Sequence, residues 1–168
     1  MNSSHLTFRL VEELDLPTLG RWLLAPHVAR WYPDADYIED LEDQLDDDRI
    51  VMNLVLLNGQ PFAFVQDYEI HAWQNHPLSF LPYGSRGLDT FVGDEALVGT
   101  GLGSAYLRLR GDALFAAAVP ALGIDPAEQN YAAQRAFEKA GYSRHGVSET
   151  EWGRVLLMTQ LAGSFSDL

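Results

Sequence analysis

The chain has 168 residues, 47% hydrophobic and 21% charged, the composition of an ordinary folded domain rather than a disordered one. Lys and Arg number 11 against 24 Asp and Glu, a formal charge of −13, and a field of that sign opposes nucleic acid and favours cationic partners. Cysteine is absent, which excludes disulfides, thiol nucleophiles and thiolate metal sites and fits a cytoplasmic protein.

The opening stretch MNSSHLTFRLVEELD has no basic segment followed by an apolar core, so no signal peptide is expected. Alternation in LTFRLV (6–11) predicts a strand. DLPTLGRWLLAPHVARWY (15–32) predicts a helix with Asp15 as N-cap and Pro17 in its first turn, broken near Pro26. In DYIEDLEDQLDDD (36–48), Ile38, Leu41 and Leu45 recur at helical spacing, leaving the acids on the opposite face. Nine acids fall between Asp34 and Asp48; they form a solvated helix face or an acidic wall beside a cationic substrate.

RIVMNLVLL (49–57) and QPFAFVQDY (60–68), joined at Asn58-Gly59, predict a hairpin. The aromatic stretch Glu69–Ser85 reads as a long irregular loop, a feature often tied to function. RGLDTFVG (86–93) is the next strand, then VGTGLGSAYLR (98–108) opens a helix from about Gly103 to Ala118. ALGID (121–125) is a short strand, and PAEQNYAAQRAFEKAG (126–141) a helix with Pro126 near its start and Gly141 as its stop. YSRHGV (142–147) and RVLLMTQL (154–161) close the chain as strands. The mostly apolar run Ala113–Ile124 is too short to span a membrane, which takes roughly 18 residues. With no repeat or linker, the expectation is one α/β domain over residues 1–168, a mixed sheet flanked by helices.

The glycines at 99, 101 and 103 let backbone N–H groups converge on an anion, and the following helix adds its positive N-terminal end. A dinucleotide fingerprint needs G-x-G-x-x-G after the first strand, and here the last glycine comes one position early, in mid-chain. A P-loop needs Gly-Lys-Ser/Thr, and no lysine is present. The anion is therefore held by neither of those nucleotide motifs.

The loop VGTGLG together with N…A…FEKAGY (Asn130–Tyr142) resembles the GNAT superfamily of acyl-CoA-dependent N-acetyltransferases. RGLDTFVG, GQPFAFVQDY, LAPHVARWY and IDPAEQN are similar to segments of one branch, the aminoglycoside 6′-N-acetyltransferases, and the likeness runs from about His5 to Ala162. The resemblance implies a GNAT fold with a mostly antiparallel central sheet. It implies acetyl-CoA as acyl-donor cosubstrate, a cationic small-molecule amine as acceptor, and a monomer or homodimer that binds neither nucleic acid nor membrane.

Residue by residue, the resemblance implies that Val98, Gly99, Thr100, Gly101, Leu102, Gly103 and Ser104 hold the CoA pyrophosphate. Phe91 and Val92 on the preceding strand, and Asn130, Ala133, Phe137 and Lys139 on the following helix, complete the cosubstrate site. Asp89 interrupts the apolar run LDTFV, where a carboxylate needs a partner. The resemblance makes it the group that binds the acceptor amine and takes its proton; the alternative is a structural carboxylate paired with Arg86. Asp125 either faces the acceptor or caps the helix that follows. Trp31 lines the acceptor pocket or belongs to the core, and Glu151, with Glu149, faces substrate or lies on a solvated turn. Trp73 and Tyr83 are candidate pocket walls.

Phe137 departs from the family, whose tyrosine there is placed to protonate the departing thiolate; phenylalanine has no proton to give. Water or another hydroxyl, Ser104 or Tyr131, replaces it, or turnover suffers, or the tyrosine's usual role is overstated. The five histidines show no metal-ligand spacing, so no metal is expected. Two other functions fit parts of the pattern: a siderophore or other polyamine N-acyltransferase, against which the absence of a histidine in GLDTF counts, and a non-catalytic acyl-CoA sensor, suggested by Phe137.

Overall fold

The computed structural model describes residues 5–34 and 36–163; the expected domain's outermost residues, 1–4 and 164–168, and residue 35 lie outside them. Seven strands form one sheet: β1 (Leu6–Leu10), β2 (Ile50–Leu57), β3 (Gln60–Glu69), β4 (Arg86–Val92), β5 (Ala121–Ile124), β6 (Ser143–Thr150) and β7 (Gly153–Leu161). Their order is β1-β2-β3-β4-β5-β7-β6. The sheet is mostly antiparallel, and β4 with β5 is a parallel pair. The helices are α1 (Leu16–Leu24), α2 (Pro26–Ala29), α3 (Tyr37–Gln44), α4 (Leu102–Ala116) and α5 (Tyr131–Lys139). No helix among the described residues is long and apolar enough to cross a membrane.

The chain divides into two compact units, one comprising residues up to Asp67 with Thr90–Thr100, the other Tyr68–Asp89 with residues from Gly101 on. In the first, β1 lies antiparallel to β2 with Phe8 opposite Val55. The β2–β3 hairpin turns through Asn58 and Gly59, both at positive φ (51° and 84°), the geometry that matches strand twist. Its core joins Leu19, Val28 and Leu41 from the helices to Met52, Leu54, Phe64 and Phe91 from the strands. The spacing of Leu41 with Ile38 and Leu45 is thus core packing, and the acids of α3 are left on the other side. In the second unit β5 lies between β4 and β7, with Leu88, Leu122, Ile124 and Met158 buried.

Two local expectations are corrected. Asp15 precedes α1 but does not cap it: its carboxylate accepts from Glu12 N–H (2.9 Å) and from both Arg9 guanidinium nitrogens (2.8 and 2.9 Å). The last helix starts at Tyr131, not near Pro126, because the intervening backbone is taken by tertiary partners. Ala127 bridges Val155, Glu128 N–H donates to Arg154 O, and Gln134 Nε2 donates to Ala127 O and Glu128 O. The 69–85 segment is irregular as expected, with a short 3-10 turn at Ile70–Ala72 and Ile70, Leu78 and Leu81 buried.

Candidate active site

The parallel pairing of β4 and β5 sets two short sequences side by side. Gly87 stands opposite Gly123 and Leu88 opposite Ile124, so Asp89 follows on β4 and Asp125 is the first residue past β5. The glycines are required by what covers them. A Cβ on Gly87 would lie 2.4 Å from Tyr68 Cζ, and one on Gly123 would lie 2.7 Å from Leu78 Cδ1 and 3.1 Å from Leu81 Cδ1. Side chains two residues apart on a strand share a face, so Asp89 projects from the face that Tyr68 covers. Asp125 feels Asp89 directly: its carboxyl is pushed up to about 8, first by burial and then by the Asp89 charge. With α5 beginning at Tyr131 and capped by Asn130, the capping role for Asp125 falls away.

Tyr68 is oriented from below the strand by a histidine. Leu78 N–H donates to His76 Nδ1 (3.0 Å), which leaves the ring proton on Nε2, and Nε2–H donates to Tyr68 Oη (2.9 Å). Burial, and secondarily the neighbouring His71, lowers the His76 pKa, so the ring is neutral at physiological pH and its tautomer is fixed. Trp73 packs edge-on to the Tyr68 ring (5.7 Å), while Tyr83 is 85% exposed and stacks on His71 (4.7 Å). His71, Tyr83, Ser85 and Arg86 line a concavity of about 300 Å³.

The glycine loop suits an anion. Gly99 and Gly101 have φ of +76° and +87°, the left-handed region where a side chain is strained. A Cβ at 99, 101 or 103 would meet nothing within 4 Å, so the loop's backbone is open to an approaching group. Ala105 N–H donates to Gly101 O as the first bond of α4, leaving the N–H groups of Leu102, Gly103 and Ser104 without helical partners. Val98, at the loop's start, is half exposed.

On α5, Asn130 Oδ1 accepts from Ala133 N–H (3.2 Å), so both residues serve the helix cap. Phe137 is only 7% exposed, with Tyr142 6.4 Å away ring to ring. Ser104 Oγ donates to Ala136 O (2.8 Å), which ties α4 to α5 and commits the hydroxyl proton; Tyr131 is exposed at the helix start. Lys139 ends the helix, and its carbonyl accepts from Arg108. Gly141 (φ +109°) stops it, with Tyr142 N–H returning to Phe137 O (3.0 Å).

The second unit thus brings Asp89 and Asp125 together. Trp31, Phe91, Val92, Val98, Gly99 and Thr100 belong to the first. Trp31 is half-buried, outside the core cluster, with the Arg30 guanidinium 4.8 Å from its ring centre. Glu151 is exposed on the β6–β7 turn, and Glu149 pairs with Arg154 (3.5 Å). Among the described residues no cluster of three metal-ligating side chains occurs. The residues that sequence reasoning missed are Gly87, Gly123, Tyr68 and His76.

Comparison with known proteins gives a consistent result. A family model described as "Acetyltransferase (GNAT) domain" matches residues 12–150. Aminoglycoside N(6′)-acetyltransferase type 1 of Klebsiella pneumoniae is 28% identical over 177 residues, spanning 98% of this chain and 87% of that protein. The kanamycin resistance protein of Rhizobium radiobacter is 34% identical over 83 residues, 49% of this chain and 77% of that one. Among solved structures, aminoglycoside acetyltransferase AAC(6′)-Ib in complex with coenzyme A superposes with a TM-score of 0.87 at 28% identity, covering 97% of this chain and 98% of that one. Its complex with paromomycin and acetyl-CoA gives 0.86 at 28% identity, with 96% of each chain covered.

Proposed function

Because the chain belongs to the GNAT acetyltransferase family, we propose that it transfers the acetyl group of acetyl-CoA to the 6′-amine of an aminoglycoside. The observation that carries this reading is the neighbouring pair Asp89 and Asp125, each one residue beyond the last β4–β5 pair, with the Asp125 carboxyl held up at about 8. Asp125 keeps its proton near neutral pH because burial and the Asp89 charge disfavour its ionisation, and an ammonium bound at the pair offsets that cost. The chain's charge of −13 attracts a polycation, and the relatives that are aminoglycoside acetyltransferases support the acceptor class.

The glycine loop fits the cosubstrate's pyrophosphate because the N–H groups of Leu102, Gly103 and Ser104 have no helical partner. In this reading Val98 to Ser104 hold that group, the main chain at Phe91 and Val92 holds the pantetheine arm, and Asn130, Ala133, Phe137 and Lys139 flank it. Trp31, Asp89, Asp125 and Glu151 face the acceptor. The ammonium loses a proton to Asp89, directly or through water, and the neutral amine attacks the thioester carbon. The new C–N bond replaces the C–S bond, and the thiolate leaves as thiol by taking, through water, the proton that the acylated nitrogen releases, since Phe137 has none to give and the Ser104 proton is engaged.

Asp89→Asn tests the reading. The variant keeps volume and hydrogen bonding, so acetyl-CoA binding measured by calorimetry should persist. Acetyl transfer should fall by about 10²-fold or more in kcat. An effect confined to the acceptor's KM would assign Asp89 to anchoring alone, and an unchanged kcat/KM would overturn its role.

A further inference from the structure

The hydrogen-bond ladder between β4 and β5 covers three residue pairs, from Arg86 with Leu122 to Leu88 with Ile124. Four more residues of β4 follow it, ending at Val92. In the first unit the polar groups of this second half are met by side chains. Tyr32 Oη donates to Thr90 O (3.0 Å), His27 Nε2 donates to Val92 O (2.9 Å), and Thr90 Oγ1 donates to Phe64 O (2.7 Å). A carbonyl only accepts, so the His27 ring proton sits on Nε2; its Nδ1 is buried without a hydrogen-bond partner.

The apolar atoms follow the same plan. Phe91 takes the edge of Tyr32 (5.4 Å, 65°) and of Trp22 (6.4 Å, 86°) and stacks on Phe64 (5.2 Å). Trp22 also lies flat against the next residue: a Cβ on Gly93 would fall 2.0 Å from Trp22 Cδ2. Four consecutive residues, Thr90 to Gly93, are thus each gripped from the segment Trp22–Tyr32.

We infer that His27 and Tyr32 are positioning residues for the acyl donor: they clamp the second half of β4 so that its main chain is oriented before acetyl-CoA arrives. The inference rests on the proposed function, which assigns the main chain at Phe91 and Val92 to that cosubstrate. A strand freed from one neighbour otherwise loses order, and a ligand would have to restore that order on binding. Two hydrogen bonds to alternate carbonyls, with the intervening ring wedged between aromatics, set the peptide planes in advance. Neither side chain is asked to touch the acceptor or exchange a proton, so the effect falls on donor affinity.

The test uses Tyr32→Phe, which deletes one oxygen, and His27→Leu, with His27→Gln restoring a donor at the reach of Nε2. Calorimetry should show acetyl-CoA Kd raised about three- to tenfold in Tyr32→Phe and in His27→Leu, with His27→Gln near the parent. The acceptor's KM should not move, and amide exchange at residues 90–93 of the unliganded protein should speed up in the two weakened variants. If His27→Leu fails to fold, Tyr32→Phe alone decides. Unchanged Kd in Tyr32→Phe, with the parent binding acetyl-CoA normally, overturns the clamp and leaves the proposed function standing. A parent that binds no acetyl-CoA overturns the proposed function and the clamp with it.

Discussion

Asp125 shows how the fold uses a single carboxyl. In the unfolded chain it titrates near 3.8, and in the folded protein near 8, so folding takes up a proton between those limits. Its contribution to stability is complete below the lower value and is lost as pH rises through the upper one. Asp125→Asn has no such dependence. The Tm of the variant relative to the parent should therefore climb between about pH 5 and about pH 8 in unliganded protein, followed by thermal unfolding. A difference that stays flat across that range contradicts the buried pair. At this scale Asp89 was legible because a carboxylate in an apolar strand is conspicuous. Asp125 had two readings until the start of α5 removed one. The repeat Gly-Leu-Asp and Gly-Ile-Asp stood in the sequence, and the structure pairs its glycines and apolar residues, with an aspartate following each. Tyr68 and His76 carried no such sign, because their roles come from lying over a glycine that is distant in the chain.

The elements followed from periodicity and turn chemistry where local forces decide. The Asn58-Gly59 hairpin, the break at Pro26 and the stop at Gly141 are set by backbone preferences of the residues themselves. The sequence reading failed where tertiary hydrogen bonds compete, as in the stretch before α5 and at Asp15, whose carboxylate goes to Arg9 and Glu12 instead of to α1. The glycine loop and α4 act as one element, and their role is best tested away from the strained positions. Substituting Gly101 at φ +87° confounds folding with binding. Gly103 lies inside α4 outside the left-handed region, and a Cβ there meets no protein atom within 4 Å. Gly103→Val should leave Tm unchanged or slightly higher, since valine is the better helix former by a few tenths of a kcal/mol. If the pyrophosphate docks on these amides, the same variant should bind acetyl-CoA at least about tenfold more weakly by calorimetry. Unaltered affinity would remove the loop from the cosubstrate site.

For the molecule as a whole, the mixed sheet was legible from the alternation of strand and helix patterns, but the insertion of β7 between β5 and β6 was not, because it depends on contacts distant in the chain. The separation of the chain into two units within strands β3 and β4 was not, since no change of composition marks it. Charge is the property of the whole molecule that bears on function: at −13, it favours a polycationic acceptor over a neutral amine. Acetyl transfer to one amine of such a molecule is the proposed reaction. The direct measurement is thiol release from acetyl-CoA in the presence of two aminoglycosides that differ at one position, a 6′-amine in one and a 6′-hydroxyl in the other, with mass and NMR analysis of the product. Turnover is expected with the amine, with the acetyl group on the 6′-nitrogen, none with the hydroxyl, and an acceptor KM that rises with salt. Acetylation of both at some other amine, or reaction confined to neutral or hydrophobic amines, would contradict it.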